Sequence, residues 1–413
     1  MNIIIIEPFS SGHHMSLYLK NILKFLIKKN WSITLITSDK AINSEAFKSI
    51  KKEYGKNFSY HTINSIDPPS MFIHPATILI YQFRWWLKIK SVYKKLHNKN
   101  KFDLAYVPSI DFIIHPLTII KSPFQDTPFF TTYISSKKHL YHIEKHSDFK
   151  QKIKKLIYNY LICRLLSLKS LIKLFIIESD VFSYLKKKNF EYINKIKYLP
   201  DFADTECNIS KSEARKYLGI EKSEFVILGY GALSKRKGIL NLLECVEQAN
   251  SSLSNIKIIV AGIPERLFLD EFNKLIKKSN LLQSVVIKQL YFHNDELENI
   301  VFAASDCVWL GYTDDFQGSS GVLYQSLGYG IPVISSKNGF IAKFVEENNI
   351  GVTCNSNKSL SIKNAILDLQ NEIKNDKYTQ MNKALKDLAK FHSPEEHMRQ
   401  FIETVEHFNM YNR

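Results

Sequence analysis

The sequence predicts an α/β protein made of two doubly wound, parallel-sheet domains facing a cleft. Three observations carry this expectation. Short runs of Ile, Val, Leu and Phe alternate with helical stretches in both halves. The runs are apolar throughout rather than alternating, as strands covered on both faces are. A turn-rich joint, Lys197–Asp204 (KYLPDFAD), divides the 413 residues into halves of ordinary domain size.

In the first half, Ile3–Ile6 reads as a buried strand, Met15–Lys29 as a helix and Ser32–Thr37 as a second strand. Leu104–Val107, Phe129–Thr132 and Leu174–Ile177 read as further strands with helical stretches between them. A new series follows the joint. Strands are expected at Phe225–Gly229, Ile256–Ala261, Val285–Leu290, Cys307–Gly311 and Pro332–Ser335. Helices are expected from about Gly238 to Ala249 and at Arg266–Ser279, Glu296–Ala304 and Val322–Leu327. A polar, Lys-rich helical region then leads to a helix at His392–Phe408. The expected domains are 1–203, 204–390, and a C-terminal helix within 391–413 placed to cross back to the first.

Composition narrows the function classes. A 45% hydrophobic and 13% aromatic chain is not disordered. Five scattered cysteines with no CxxC pair argue against a disulfide framework or a structural zinc, and point to a reducing compartment. No apolar run reaches the roughly 18 residues of a membrane span. The N-terminus MNIIIIEPF lacks a basic leader region and reads as a first strand, not a signal.

The net charge of +16 is unevenly spread. Residues 1–203 carry 32 Lys and Arg against 14 Asp and Glu, and residues 204–413 carry 24 against 26. The positive field therefore belongs to the first half, where it would draw anionic lipid, anionic substrates or nucleic acid. In Tyr81–Leu96 the apolar residues Trp85, Ile89, Val92 and Leu96 recur at helical spacing, with Arg84, Lys88 and Lys95 on the opposite arc. Lys150–Ile177 has a similar basic, apolar character. Such helices either lie in a membrane interface or turn their apolar stripe to their own core.

Two turns carry the chemistry. In Tyr312–Ile334 (YTDDFQGSSGVLYQSLGYGIPVI) a strand enters a Gly/Ser turn and then a helix. Amides at Ser320, Gly321 and Val322 would be free at the helix start and suit a phosphate, with Ser319 or Ser320 able to cap. In Gly229–Gly238 (GYGALSKRKG) a strand-to-helix turn carries Lys235, Arg236 and Lys237, cations suited to a diphosphate. Neither turn is GxxxxGK[ST] or GxGxxG.

Taken in order, these turns resemble the donor domain of GT-B fold glycosyltransferases, whose two domains are Rossmann-like. The likeness is greatest to the family-4 enzymes, which are retaining and use nucleotide sugars. The family's Gly-Arg-Leu-x-x-x-Lys-Gly is met by Gly231-Ala232-Leu233-Ser234-Lys235-Arg236-Lys237-Gly238 except at Ala232. Its two glutamates, with seven residues between them, fall on Gln317 and Gln325. Its Gly-x-Pro-Val-Ile is met by Gly330–Ile334. Asn338-Gly339-Phe340 resembles a later Gly-Gly turn, and Ser10-Ser11-Gly12-His13-His14 stands where the acceptor domain has its glycine loop.

The resemblance implies Lys237 on the donor diphosphate and the Ser320–Val322 amides on phosphate or sugar. It implies Gln317 on the sugar and Gln325 on the ribose hydroxyls. Gly12, His13, Gly231, Lys235, Gly318, Ser319 and Gly321 complete the donor set. The two Glu-to-Gln changes keep hydrogen bonding and remove charge. Lys235 or Arg236 could replace the cation missing at Ala232. As catalytic residues we take Asp111 and His115, which follow a strand end, together with Gln317. His139 and His142 are further candidates, and His14 could also reach the donor phosphate.

No Asp-x-Asp occurs, so the expected enzyme is metal-independent and has no cofactor beyond its nucleotide diphosphate sugar co-substrate. Its expected partners are a nucleotide-sugar donor, a glycan or lipid-linked acceptor of cell-surface polysaccharide synthesis (lipopolysaccharide or capsule), and an anionic membrane surface. Its expected place is cytoplasmic, peripheral at the inner face of the membrane. A catalytically silent scaffold of the same fold is the rival motivated by Ala232, Gln317 and Gln325. A nucleic-acid-binding protein would leave both glycine turns unexplained.

Overall fold

A computed structural model describes the chain except residues 10–13, 68–74, 125–126, 135–148, 188–191, 203–208, 250–251, 292–294, 376 and 412–413. It divides into two compact units, Met1–Pro200 with His397–Arg413, and Asp201–Glu396.

The first unit holds a seven-stranded parallel sheet: β1 (Asn2–Ile6), β2 (Ser32–Ser38), β3 (Phe58–Ile63), β4 (Leu104–Val107), β5 (Phe129–Tyr133), β6 (Leu171–Ile176) and β7 (Ile196–Tyr198), in the order β3-β2-β1-β4-β5-β6-β7. Ile3–Ile6 are fully buried because both faces of β1 are covered, Ile4 and Ile6 facing one apolar cluster and Ile3 and Ile5 another. The second cluster is completed by Met398, Phe401, Ile402 and Val405 of the helix Pro394–Tyr411. Phe401 lies against Tyr106, Phe130 and Phe175, its ring centroid 4.5 Å from that of Tyr106.

The second unit holds a six-stranded parallel sheet: β8 (Phe225–Leu233), β9 (Ile256–Pro264), β10 (Val286–Leu290), β11 (Cys307–Leu310), β12 (Val333–Ser336) and β13 (Gly351–Cys354), in the order β10-β9-β8-β11-β12-β13. Its opening helix, Lys211–Leu218, begins in a Ser210/Glu213 capping box and ends at Gly219 in the left-handed conformation. Arg215 of this helix, mostly buried, pairs with Asp306 at 2.6 Å and donates to Ala304 O, and Asp306 also accepts from Val226 N. The base of β8 and the entry to β11 are thereby tied together.

In each sheet the first strand has the next two strands on one side and the fourth on the other, so the chain winds outward in both directions from β1/β4 and from β8/β11. Ligands of such sheets bind beyond the carboxyl ends of the strands at this switch point. The turns after β8 and β11 leave the second sheet there.

Of the ten expected strands one, Leu104–Val107, keeps its bounds; β8 runs four residues and β9 three residues further, β6 begins three residues earlier, the other six move by one residue, and three strands went unread: β3, β7 and β13. The Lys-rich region resolves into Ser359–Lys374 and Lys377–Phe391. The last helix begins at Pro394, where Ser393 Oγ accepts from Glu396 N at 3.2 Å and proline suits the first helical position; His392 just before it is buried, and its Nδ1 meets Asp201 O at 2.5 Å. Burial lowers the His392 pKa to about 4, against a smaller upward pull from that bond. The folded protein therefore resists a proton that the unfolded chain accepts below about pH 6.5. Stability should be full above that pH and decline by up to about 3 kcal/mol as pH falls towards 4. Urea unfolding at pH 7 and pH 5 checks this; the decline should shrink in His392→Asn, and an equal decline in that variant would refute the assignment.

Candidate functional site

The site of the second unit is built where β8 and β11 end. At Gly231 the strand needs a glycine because φ is +100°, and a Cβ there would lie 3.2 Å from Lys237 Nζ and 3.5 Å from Val322 Cγ2. One short measurement thus brings together the end of β8, the basic turn and the start of the helix Gly321–Gly328. The turn itself, a 3-10 segment over Lys235–Lys237, is fastened to the end of β11. Trp309 Nε1 donates to Lys237 O at 3.1 Å, and Thr313 N donates to Arg236 O at 2.9 Å.

The three cations of the turn part ways. Lys237 is 7% exposed, and its ammonium donates to Tyr230 O at 2.6 Å and to Tyr312 Oη at 3.5 Å, over the Tyr312 ring. Among the described residues no carboxylate pairs with it. Lys235 turns away to an ion pair with Glu271 on the helix Arg266–Lys278. The Arg236 guanidinium lies 4.9 Å from the Phe316 ring centre, and Phe316 stacks on Tyr312 at 4.1 Å. Exposed Ala232 leaves the family's arginine position without a cation.

At the helix Gly321–Gly328, Ser320 holds the N-cap position without capping. Its hydroxyl meets Tyr312 Oη at 2.8 Å instead. The dipole and first-turn amides of this helix are therefore not quenched by that side chain. The preceding Gln317, Gly318 and Ser319 are half-buried. Gln317 Nε2 donates to Asp314 O at 2.8 Å, and Gly339 (φ +81°) approaches Gln317 so closely that a Cβ would lie 3.2 Å from its Cα. Asn338, at the N-cap of the next helix (Gly339–Asn348), likewise spends its amide on Asp314.

Gln325 is 4% exposed, and its Nε2 donates to Glu298 Oε1 at 2.6 Å. Glu298, on the helix Asp295–Ala304, also accepts from the Tyr230 hydroxyl. Sequence reasoning missed Glu298, Tyr230 and Tyr312. An acid in DELEN carries no local signal, since it reads as a solvated helix face.

In the first unit, Asp111 and His115 lie just beyond β4 and are joined by Gln82, a residue the sequence did not single out. Gln82 Nε2 donates to Asp111 O at 2.8 Å, and Gln82 Oε1 faces His115 N at 3.0 Å and His115 Nδ1 at 2.8 Å. The Asp111 carboxylate accepts from Ser109 Oγ and from Ile134 N. Burial lowers the His115 pKa, which favours the neutral ring. Just past β1, buried Glu7 meets His14 Nδ1 at 3.3 Å. Burial works to lower the His14 pKa, but Glu7, with a contribution from Asp111, raises it overall. An acid directly behind an all-isoleucine strand was the signal for Glu7. Gly12, His13, His139 and His142 lie outside the described residues.

Over this arrangement, residues 210–387 match the family described as glycosyl transferases group 1. The group 1 region takes in the basic turn, the helix Gly321–Gly328 and Glu298. No curated protein matches the chain.

Among solved structures, sucrose-phosphate synthase from Thermosynechococcus elongatus is 15% identical with a TM-score of 0.70 and 100% of both chains covered. HepE from Anabaena, in complex with UDP and glucose, is 16% identical with a TM-score of 0.68, covering 98% of this chain and 99% of its own. WaaG, a glycosyltransferase involved in lipopolysaccharide biosynthesis, is 14% identical with a TM-score of 0.59, covering 96% and 98%. At these identities the likeness establishes the fold, which is GT-B. The group 1 family and this fold together support nucleotide-sugar glycosyl transfer.

Proposed function

We propose that the protein moves a hexose from a nucleotide diphosphate to a glycan or lipid-linked acceptor in cell-surface polysaccharide synthesis. The convergence of Lys237 and the start of Gly321–Gly328 over Gly231 carries this reading. As the bond from the sugar to the diphosphate breaks, negative charge grows on the departing oxygen. A fixed, mostly desolvated ammonium and a helix N-terminus stabilise that charge without reorganising, which is how such sites lower a barrier. This is a metal-independent role for the chain's own groups. Gln317 and the Gly318–Ser319 backbone would hold the sugar, and Arg236, braced on Phe316, would supply the cation missing at Ala232. In the first unit, Asp111 and neutral His115 would meet the acceptor hydroxyl. That HepE is described with UDP and glucose, and WaaG with lipopolysaccharide biosynthesis, supports the choice of donor and acceptor class.

The test is release of nucleoside diphosphate from a panel of uridine, adenosine and guanosine diphosphate sugars, with and without polyprenyl-diphosphate-linked glycan. Turnover with one donor is expected. Donor binding without turnover on any acceptor would favour the silent scaffold instead.

The acceptor proposal includes an anionic membrane surface. In the first unit the helices Pro75–Lys99, Ile114–Ile119 and Phe149–Leu166 pack in sequence. Trp85 and Ile89 turn inward to the core, so that stripe is structural. On these helices and directly after the second, however, Leu87 (58%), Ile119 (58%), Leu156 (69%) and Tyr160 (64%) are exposed, and so are Arg84, Lys90, Lys121 and Arg164. Exposed apolar side chains together with cations suit the headgroup boundary of an anionic leaflet. No helix among the described residues is long and apolar enough to cross a membrane. The protein should co-sediment with phosphatidylglycerol vesicles and detach in high salt, and Leu156→Asp should weaken this several-fold. Equal binding to phosphatidylcholine vesicles would refute the electrostatic part.

A further inference from the structure

Glu7 is a buried acid for which the transfer reaction outlined above has no use. It stands where β1 ends and is 1% exposed. Its backbone is pinned to β2, with Glu7 N donating to Ile36 O at 3.0 Å and Thr37 Oγ1 donating to Glu7 O at 2.7 Å. One carboxylate oxygen accepts from Phe9 N at 3.1 Å, and the other faces His14 Nδ1 at 3.3 Å. Among the described residues no lysine or arginine pairs with it. A buried carboxylate is costly unless a cation matches it, and the cation within reach is His14.

The pair decides which nitrogen of His14 carries a proton. An ionised carboxylate only accepts, so Nδ1 is the donor. Nε2 has no partner among the described residues, and the side chain is 27% exposed. Phe9 braces the ring, with centroids 5.3 Å apart. In the neutral ring Nε2 therefore offers a lone pair, which repels an anion. In the protonated ring it offers an N–H and a positive charge, which attract one. One proton reverses the sign of the contact.

The charged groups acting on His14 are Glu7 and Asp111. Burial disfavours the charged ring, but the charge and hydrogen bond of Glu7, with a contribution from Asp111, outweigh it and raise the pKa above its ordinary value of about 6.5. The dyad closes β1, which lies beside β4 at the switch point of this sheet, and Asp111 and His115 follow β4. The donor's diphosphate has Lys237 and a helix N-terminus of its own in the second unit. A separate anion-seeking group in the first unit suits an acceptor that carries its own diphosphate.

We infer that Glu7 is a positioning residue for His14, and that His14 Nε2, when its ring is protonated, donates to the diphosphate of a lipid-linked acceptor. The inference rests on the glycosyl-transfer reading and deepens it by giving the acceptor a charged end and a group that meets it.

The test measures affinity by calorimetry from pH 5 to pH 9. The two probes are farnesyl-diphosphate-linked glucose and the best binder among UDP-, ADP- and GDP-glucose. Both diphosphates are esterified at each end, so neither titrates near pH 6 as a terminal phosphate would. The wild-type protein should bind the farnesyl probe well at pH 5 and about tenfold or more weakly once the pH has risen through the His14 pKa. Glu7→Gln removes the charge that raises that pKa, so the same step should come about one pH unit lower or more. His14→Gln should bind weakly and show no step. A step left in place in Glu7→Gln, a step that persists in His14→Gln, or no step or no binding in the wild-type protein would overturn the inference. So would a step as large or larger with the nucleotide sugar, which would assign the ring to the donor. Failure to bind any of the three nucleotide sugars would instead bring down the donor reading. Should Glu7→Gln not fold, nitrogen-15 NMR titration of His14 in the wild-type protein decides: a midpoint above 6.5 with the proton of the neutral ring on Nδ1 upholds the inference, and a lower midpoint or the opposite tautomer overturns it.

Discussion

Lys237→Ala should lower the affinity for a nucleoside diphosphate roughly 10- to 100-fold while leaving the affinity for the bare nucleoside unchanged. The magnitude is that of one charge-assisted hydrogen bond, about 1.5–3 kcal/mol. The selectivity follows from place, because the ammonium stands over Gly231 at the mouth of the helix Gly321–Gly328. Its hydrogen-bond partners among the described residues are a carbonyl and a phenol rather than a carboxylate, which leaves the ammonium open to a ligand's phosphate. Removing it also strips Tyr230 O of its donor, so a modest loss of stability is expected alongside and should be measured by thermal melting. Calorimetric titration of nucleoside and nucleoside diphosphate decides the matter. An equal loss for both ligands would mean that Lys237 serves the fold and not the phosphate.

Gly238→Ala should destabilise the second unit by about 3–5 kcal/mol, in the range that marks a specific steric fault. Gly238 has φ +62°, which costs a Cβ-bearing residue about 1–2 kcal/mol. The larger part is a collision, since the new Cβ would fall 2.0 Å from Gly311 O. Relief requires the basic turn to lift from the end of β11, breaking the Trp309-to-Lys237 and Thr313-to-Arg236 bonds. Donor affinity should fall with stability, as the same movement withdraws Lys237. Urea unfolding followed by Trp fluorescence reads the effect, and a wild-type midpoint would disprove the close approach.

Nine of the ten strands legible in the sequence lie inside their sheets and one, β10, is an edge, whereas the strands that went unread are all edges. β1, β4, β5, β8, β9, β11 and β12 lie inside their sheets with both faces covered, so they read as unbroken apolar runs. The three strands that went unread, β3 (FSYHTI), β7 (IKY) and β13 (GVTC), are all edges, with one flank and part of a face open, and they carry polar residues accordingly. The site shows the same limit. The basic turn and the Gly/Ser turn were legible because glycines and cations at strand ends are local features. That Lys235 would swing to Glu271 while Lys237 turned inward was not, nor was the meeting of Glu298 with Gln325. Both depend on which helix faces which strand, and spacing along the chain does not specify that.

The return of Met398, Phe401, Ile402 and Val405 to the first unit has a consequence for biosynthesis. The chain leaves that unit at Pro200 and re-enters it at His397, so the intervening region is an insertion between two parts of one core. On the ribosome, the early segment must wait with Tyr106, Phe130 and Phe175 incompletely covered until some two hundred later residues have emerged, whereas the insertion has every residue it needs once Glu396 is made. Nascent chains stalled before residue 397 would therefore expose an aromatic surface suited to chaperone capture, and the half translated first would be the half that matures last.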